Sequence, residues 1–398
     1  MTRRARCSDK VGAVRICLVY DCLFPWTVGG AERWYRNLAE RLAADGHQVT
    51  YLTLRQWDRG RPPELPGVRV IPVGPRMALY DGGGQRRIAP PVAFGAGVLA
   101  HLLRHGRSYD VVHTASFPYF SLLAAALVRP LGAYGLIVDW HELWTRDYWR
   151  EYLGRRGGEV GWFVQKLCLR VPQRAFCFAR LTAGRLREHE LNGEVTVLEG
   201  EYAGPLEPRA PEPASLEVIF AGRHIPEKRV PALVPAVARA RKTIPALRAR
   251  ILGDGPERGA VLAAIERDGL AGVIEAPGFV PGEEVDHALS HALAMVLPSR
   301  REGYGMVVVE SASRGTPSVV VADPDNAATE LVADGENGFV AASASPEDLA
   351  AAIVRVHEGG FALRRRTSAW YGRNARRLSL ANSLEVVSAA YAAESTRR

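Results

Sequence analysis

Residues 299–310, SRREGYGMVVVE, set Glu302 and Glu310 on either side of Gly303 and Gly305. Two carboxylates can accept hydrogens from sugar hydroxyls, and glycine backbone can approach an anion closely. On one continuous helix, eight steps would place the acids ~80° apart and ~12 Å along the axis. The glycines argue against that helix. The stretch reads better as a strand to Ser299, a loop through Gly305 and a helix from about Met306. Glu302 then lies on the loop and Glu310 one turn into the helix. The backbone N–H groups of Gly303, Tyr304, Gly305 and Met306 would form an anion site at the helix N-terminus. A phosphate there, with two carboxylates nearby, describes a sugar on a diphosphate. An ordinary loop with two solvated glutamates has the same spelling.

A second loop, RHIPEK, follows the apolar run LEVIFAG and offers Arg223 and Lys228. A guanidinium fork and an ammonium point charge suit two phosphates. Only four lysines (Lys10, Lys166, Lys228 and Lys242) occur among the 51 basic residues, so one in this loop is informative. After the first apolar run comes PWTVGGAERW, where Gly29 and Gly30 precede a helical stretch with Glu32 in its first turn. The pair suits either a tight turn or a close approach to a ligand. Neither GxGxxG nor GxxxxGK occurs, so neither a dinucleotide fingerprint nor a P-loop is supported. Asp323-Pro324-Asp325 follows a strand, as a metal-binding DxD would, but after a second α/β half. His101/His105 and His287/His291 are spaced i,i+4 without the further ligands of a metal site.

The elements that must carry these loops alternate. VRICLVYD (14–21), HQVTYLTL (47–54), YDVVHTA (109–115) and YGLIVDW (134–140) read as strands, with helical runs between them such as AERWYRNLAERLAADG. AGPLEPRAPEPA (203–214) is Pro-rich and reads as a linker. Strands then resume: LEVIFAG, ARILGDG, VIEAPGFV, ALAMVLPS and PSVVVAD. The expectation is an α/β protein of two parallel-sheet domains. Their spans are 1–203 and 216–370, with a linker at 204–215 and a terminal helix within 371–398 returning to the first domain. Ligands bind outside the carboxyl ends of parallel strands, so the post-strand loops are where chemistry belongs.

The 398 residues are 47% hydrophobic and 24% charged, enough to build two cores. No apolar run is long enough to span a membrane, and MTRRARCSDK does not lead into a signal peptide. The five cysteines (7, 17, 22, 168, 177) form no CxxC pair and read as free thiols in a reducing, cytoplasmic setting. A net charge of +8 could meet nucleic acid, an anionic membrane or a phosphorylated substrate, but no nucleic-acid recognition motif accompanies it. Residues 140–188 combine Trp140, Trp144, Trp149 and Trp162 with basic residues that include Arg146, Arg150, Arg155, Arg156, Lys166, Arg170 and Arg174. That mixture suits sugar stacking or peripheral contact with the inner face of a membrane, and equally a core lined by surface arginine.

In order, IFAGRHIPEK, ILGDGP, GFVPGEEV, LPSRREGYGMVVVESASRGTPSVV and ATELVADGENGFV resemble the retaining glycosyltransferases of family 4. The resemblance covers nearly the whole chain. It implies the GT-B fold, two Rossmann-like domains facing across a cleft, and a sugar transferred from a nucleotide-diphosphate sugar to a hydroxyl acceptor, which could be lipid-linked. It implies neither metal nor cofactor. Carried over by position, Arg223 and Lys228 would bind the diphosphate, and Gly29, Gly30 and Gly253 would approach the donor. Glu302 would face the sugar and Glu310 the ribose. His141, after LIVDW, would lie near the anomeric carbon. His113, Trp140 and Trp144 are acceptor candidates. ADPDNAATE lacks the glycine-rich turn of the family before Glu330. A non-catalytic nucleotide-sugar or glycan binder of the same fold is the alternative.

Overall fold

The computed structural model describes residues 13–27, 29–58, 60–61, 63–79 and 86–395. Cys7, Lys10 and the amino-terminal stretch searched for a signal lie outside them. Runs rich in Val, Ile and Leu become strands buried on both faces, as parallel sheets require. In the first half these are β1 (Arg15–Val19), β2 (Gln48–Thr53), β3 (Val68–Pro72), β4 (Val111–Ala115), β5 (Gly135–Trp140), β6 (Gln173–Cys177) and β7 (Gly193–Val197). They form one parallel sheet in the order β3-β2-β1-β4-β5-β6-β7. Helices α1 (Gly30–Ala44), α2 (Ala89–His105), α3 (Tyr119–Gly132), α4 (Arg146–Arg170) and α5 (Arg180–Glu188) connect them. The helical spacing in α1 buries Trp34, Leu38 and Leu42 against the sheet.

Residues 203–216 carry no helix or strand. The second half contains β8 (Glu217–Ala221), β9 (Arg248–Leu252), β10 (Ile274–Gly278) and β11 (Ala294–Leu297). It continues with β12 (Arg301–Glu302), β13 (Ser318–Val321), β14 (Asp325–Asn326) and β15 (Gly338–Ala341). Six of these form a parallel sheet in the order β10-β9-β8-β11-β13-β15, while the two-residue strands β12 and β14 pair with each other. Helices α6 (Leu233–Ala240), α7 (Arg258–Arg267), α8 (Gly282–His291) and α9 (Met306–Ala312) link them.

Two helices, α10 (Pro346–Leu378) and α11 (Leu380–Ser395), close the chain. α10 starts at Ser345, whose hydroxyl accepts from the Asp348 N–H (3.1 Å), and bends at Gly360. A boundary at 370/371 falls inside this helix, which runs on to Leu378. The crossing comes at Ser379, which bridges to Tyr202. α11 then packs on β4 and β5, with the Tyr391 hydroxyl 2.6 Å from His113 Nδ1.

Candidate active site

The loops after β1, β4, β5, β6, β8, β9, β10 and β11 line one cavity of about 980 Å³ between the two sheets. Glu302 ends the short β12 and is buried. Its carboxylate receives the Lys228 ammonium and the Ser299 hydroxyl, the latter at 2.7 Å. Lys228 stands in a single 3-10 turn begun by Pro226, and the proline-held loop sets it in the cleft wall beside Glu302. Arg223, five residues earlier, lines the same cavity; burial pushes the Glu32 carboxyl up, and Arg223 offsets part of that.

α9 begins at Gly305, whose φ of +98° and close approach to Ala328 admit only glycine. One turn on, Glu310 lines the cleft and meets Arg33 of the first domain at 3.7 Å. Burial pushes its carboxyl up, and Arg33 and Arg314 offset part of that. Gly303 is packed against the first domain: a Cβ there would stand 2.7 Å from the His141 carbonyl oxygen.

His141 follows the last residue of β5 and stacks on Phe178, centroids 4.8 Å apart and planes 4° from parallel. Its Nε2 is buried without a hydrogen-bond partner among the described residues. Burial lowers its pKa, and Asp139 offsets only part of that, so the ring is neutral at neutral pH. Asp139 is itself held by His113 (2.7 Å) and by the Trp34 indole N–H (2.8 Å). Burial pushes the Asp139 carboxyl up, but His113, His141 and Trp34 outweigh it and leave it below its usual value.

Polar contacts span the cleft. Tyr148 donates to Glu227 (2.6 Å), and Arg300 pairs with Glu151 (2.7 Å). Arg301, buried, lies 3.6 Å from the centroid of the Tyr148 ring and reaches Glu142 (3.4 Å) and Asp325 (3.2 Å). Arg185 takes the other oxygen of Asp325 at 2.5 Å. Glu330 accepts the backbone N–H groups of Arg180 (2.8 Å) and Leu181 (2.7 Å), so it caps α5 from the opposite domain. The residue at the cap position, Ala179, provides no side-chain acceptor.

Residues 28–199 match the model for Glycosyltransferase Family 4, and residues 209–377 that for Glycosyl transferases group 1. The chain belongs to glycosyltransferase family 4. It is 26% identical over 386 residues to glycogen synthase of Mycobacterium tuberculosis, spanning 89% of each chain. Sucrose-phosphate synthase from Thermosynechococcus elongatus superposes with a TM-score of 0.79 at 20% identity, over 97% of this chain and 100% of that one. HepE of Anabaena, solved with UDP and glucose, gives 0.71 at 16%, over 95% and 99%. The two facing sheets are therefore those of a GT-B glycosyltransferase.

In this glycosyltransferase the cleft gathers Gly29, Gly30, His141, Trp144, Arg223, Lys228, Gly253 and Glu302, and the run from Gly303 to Met306 with Glu310. Two acceptor candidates are corrected. His113 is the middle residue of β4 and fully buried between Asp139 and Tyr391, so it joins α11 to the sheet and cannot reach an acceptor. Trp140 ends β5, fully buried, its indole N–H given to Gln173 (2.9 Å). Trp149 is likewise buried, so the tryptophans of 140–188 do not form an exposed belt. Asp323 and Asp325 of the DPD loop are bound in ion pairs, the first with Arg229 (3.1 Å). Three participants went unread in the sequence: Glu142, Arg301 and Glu201. The first two sit beside His141 and Glu302, and that adjacency was the available signal. Glu201 was hidden at the edge of the Pro-rich linker. It is 6% exposed in the cavity wall, and burial with help from Asp139 raises its pKa to about 8.

Proposed function

We propose that this glycosyltransferase moves a sugar from a nucleoside diphosphate to an acceptor hydroxyl, with retention at the anomeric carbon. The observation that carries the reading is the meeting of Arg223 and Lys228 with Glu302 and Glu310 in one interdomain cleft. A nucleotide-bound diphosphate sugar offers what that set recognises: two phosphates, sugar hydroxyls and a ribose. The neighbour HepE, solved with UDP and glucose, supports a nucleotide-sugar donor here.

Breaking the anomeric C–O bond leaves positive charge on the sugar and negative charge on the departing phosphate. Arg223 and Lys228 are preorganised for the phosphate, Lys228 being held in place by Glu302. The backbone N–H groups around Gly303–Met306 add donors in the same wall. The acceptor oxygen attacks from the face the phosphate leaves, and its proton passes to the departing phosphate oxygen. The neutral His141 offers Nε2 to the sugar near that carbon without adding a cation that would oppose the developing charge. Glu310, with Arg33 behind it, takes the ribose. Protein cations balance the leaving group, so the reaction as proposed asks for no metal, and EDTA leaves its rate unchanged. The acceptor reading extends to a lipid-linked hydroxyl at the cytoplasmic membrane face. The buried, unbridged Cys17, Cys22, Cys168 and Cys177 support the reducing compartment this requires.

Incubation with UDP-, GDP-, ADP- and TDP-sugars, reading release of the nucleoside diphosphate, tests the proposal. One donor is turned over, Lys228→Met loses at least about tenfold in kcat/KM, and proton NMR of the product shows the donor's anomeric configuration. Inverted product would overturn the mechanism.

A further inference from the structure

Apart from Trp26, every large apolar side chain left exposed in the described part of the first domain lies on three adjacent helices. α2 presents Ile88, at its cap, with Val92 and Leu103. α3 presents Phe120, Leu127 and Leu131, the last two 70% and 60% exposed. The second half of α4 presents Val160 and Phe163. At about 100° per residue, the α2 set falls within roughly 60° of arc and the α3 set within roughly 40°. These are outward stripes, not scattered residues. α2, α3 and α4 cover one side of the sheet, because β3→β4, β4→β5 and β5→β6 all cross in the same direction. α2 packs along α3, where Gly95 lets Phe120 approach, and α3 packs against α4.

Charge on this layer is one-sided. Arg87, Arg104 and Arg107 are exposed at the two ends of α2, and Arg155, Arg156, Lys166 and Arg170 along α4. Between 88 and 138 the sole acid is Asp110, occupied by Arg15 at 2.7 Å. The acids of α4 are Asp147, Glu151 and Glu159, the last beside Val160; Arg150 meets Asp147, Arg146 and Arg150 hold Glu159 and Arg300 holds Glu151, and none occurs from 160 to 170. A chain folding alone does not usually leave contiguous apolar stripes uncovered. Apolar side chains ringed by cations, with the neighbouring acids already ion-paired, suit an anionic bilayer, where the apolar groups enter the headgroup boundary and the cations meet the lipid charge. Among the described residues no helix is long and apolar enough to cross a membrane, so contact would be with one leaflet.

We propose that the outer face of α2, α3 and the second half of α4 docks the protein on an anionic lipid surface. The face reaches the cleft: Phe117 lines the cavity one turn before Phe120, and Tyr148 and Tyr152 line it from the first half of α4. A lipid-borne hydroxyl would thus be delivered at the cavity's edge. That delivery rests on the acceptor reading above, whereas docking itself is measured with neither donor nor acceptor.

The test is flotation of the full chain with phosphatidylcholine vesicles, with and without phosphatidylglycerol, at low and high salt. The protein is expected to float with the anionic vesicles, less so as salt rises, and to stay in solution with phosphatidylcholine alone. Leu127→Ser with Leu131→Ser lowers the partition coefficient at least about tenfold. Arg104→Ala and Arg107→Ala each lower it about fivefold. Leu262→Ser, on exposed α7, leaves it unchanged. The donor-induced thermal shift stays at the wild-type value in every variant, which shows them folded and separates loss of docking from failure of the donor reading. Wild-type protein remaining in solution with anionic vesicles, or binding that ignores both face variants, would overturn the proposal. So would a concentration-dependent dimer abolished by Leu127→Ser with Leu131→Ser, which would assign the face to a second copy of the chain.

Discussion

Replacing Glu201 by glutamine tests whether the cleft wall carries a buried proton. Burial and the nearby Asp139 raise the folded carboxyl from 4.5 to about 8. Below pH 4.5 both folded and unfolded chains hold the proton, and the carboxyl costs nothing. As pH rises, the unfolded chain releases the proton first, and each unit removes about 1.4 kcal/mol of folding stability until the folded group also ionises. At pH 7 the loss is about 3 kcal/mol, and it saturates near about 5 kcal/mol above pH 8. Glutamine keeps the shape and removes the titration. The Glu201→Gln variant should match wild type at pH 4.5 and gain stability steadily towards pH 8. At roughly 2–4 °C per kcal/mol for a domain of this size, the gain at pH 7 is several degrees. Thermal melting of both proteins across that range measures it. A gap between the two that does not change with pH would refute the reasoning, because a carboxylate ionised throughout has nothing left to release.

Three further substitutions probe the closed cleft. Glu330→Ala removes two acceptors from the N-terminus of α5 and should cost about 1 kcal/mol, seen in urea melts and in faster proteolysis of the α5 region. Arg301→Ala takes the shared partner from Glu142 and Asp325. Breaking a buried pair costs roughly 3–5 kcal/mol, but Asp325 keeps Arg185, so about 2 kcal/mol is expected in the same melts. Gly303→Ala sets a methyl 2.7 Å from the His141 carbonyl and wedges the domains apart. Donor KM should rise at least about tenfold in steady-state kinetics while the unfolding free energy of the free protein stays within about 1 kcal/mol of wild type.

Much of the fold was legible because parallel strands buried on both faces are short apolar runs bounded by turn signals, as at LEVIFAG and ALAMVLPS. Six strands were not legible: β12 and β14 have two residues each, β15 is the four-residue GFVA, and β3, β6 and β7 lack such a run. β3 and β7 form the edges of the first sheet and are only half-buried, and β6 is five residues long and opens on a glutamine and an arginine. The lining of the cleft was legible for a related reason: its residues stand on loops at strand ends, where order along the chain nearly equals position in space. Two of the expected acceptor contacts were not. His113 and Trp140 fall inside strands, and a shift of one or two residues in a strand's end decides between core and cavity. Glu330 could not be read either, since its partners lie 149 and 150 residues earlier, on the other domain.

The claim on which the rest depends is that the interdomain cleft binds a nucleotide-diphosphate sugar through Glu310. A thermal-shift panel of UDP-, GDP-, ADP- and TDP-sugars on wild type and Glu310→Ala tests it most directly. At a concentration about 100 times its Kd, a true donor adds about 2.7 kcal/mol of stability. Donors sharing one nucleotide should raise the wild-type midpoint, and Glu310→Ala should lose most of the rise. No rise with any nucleotide sugar, or an equal rise in both proteins, would contradict it.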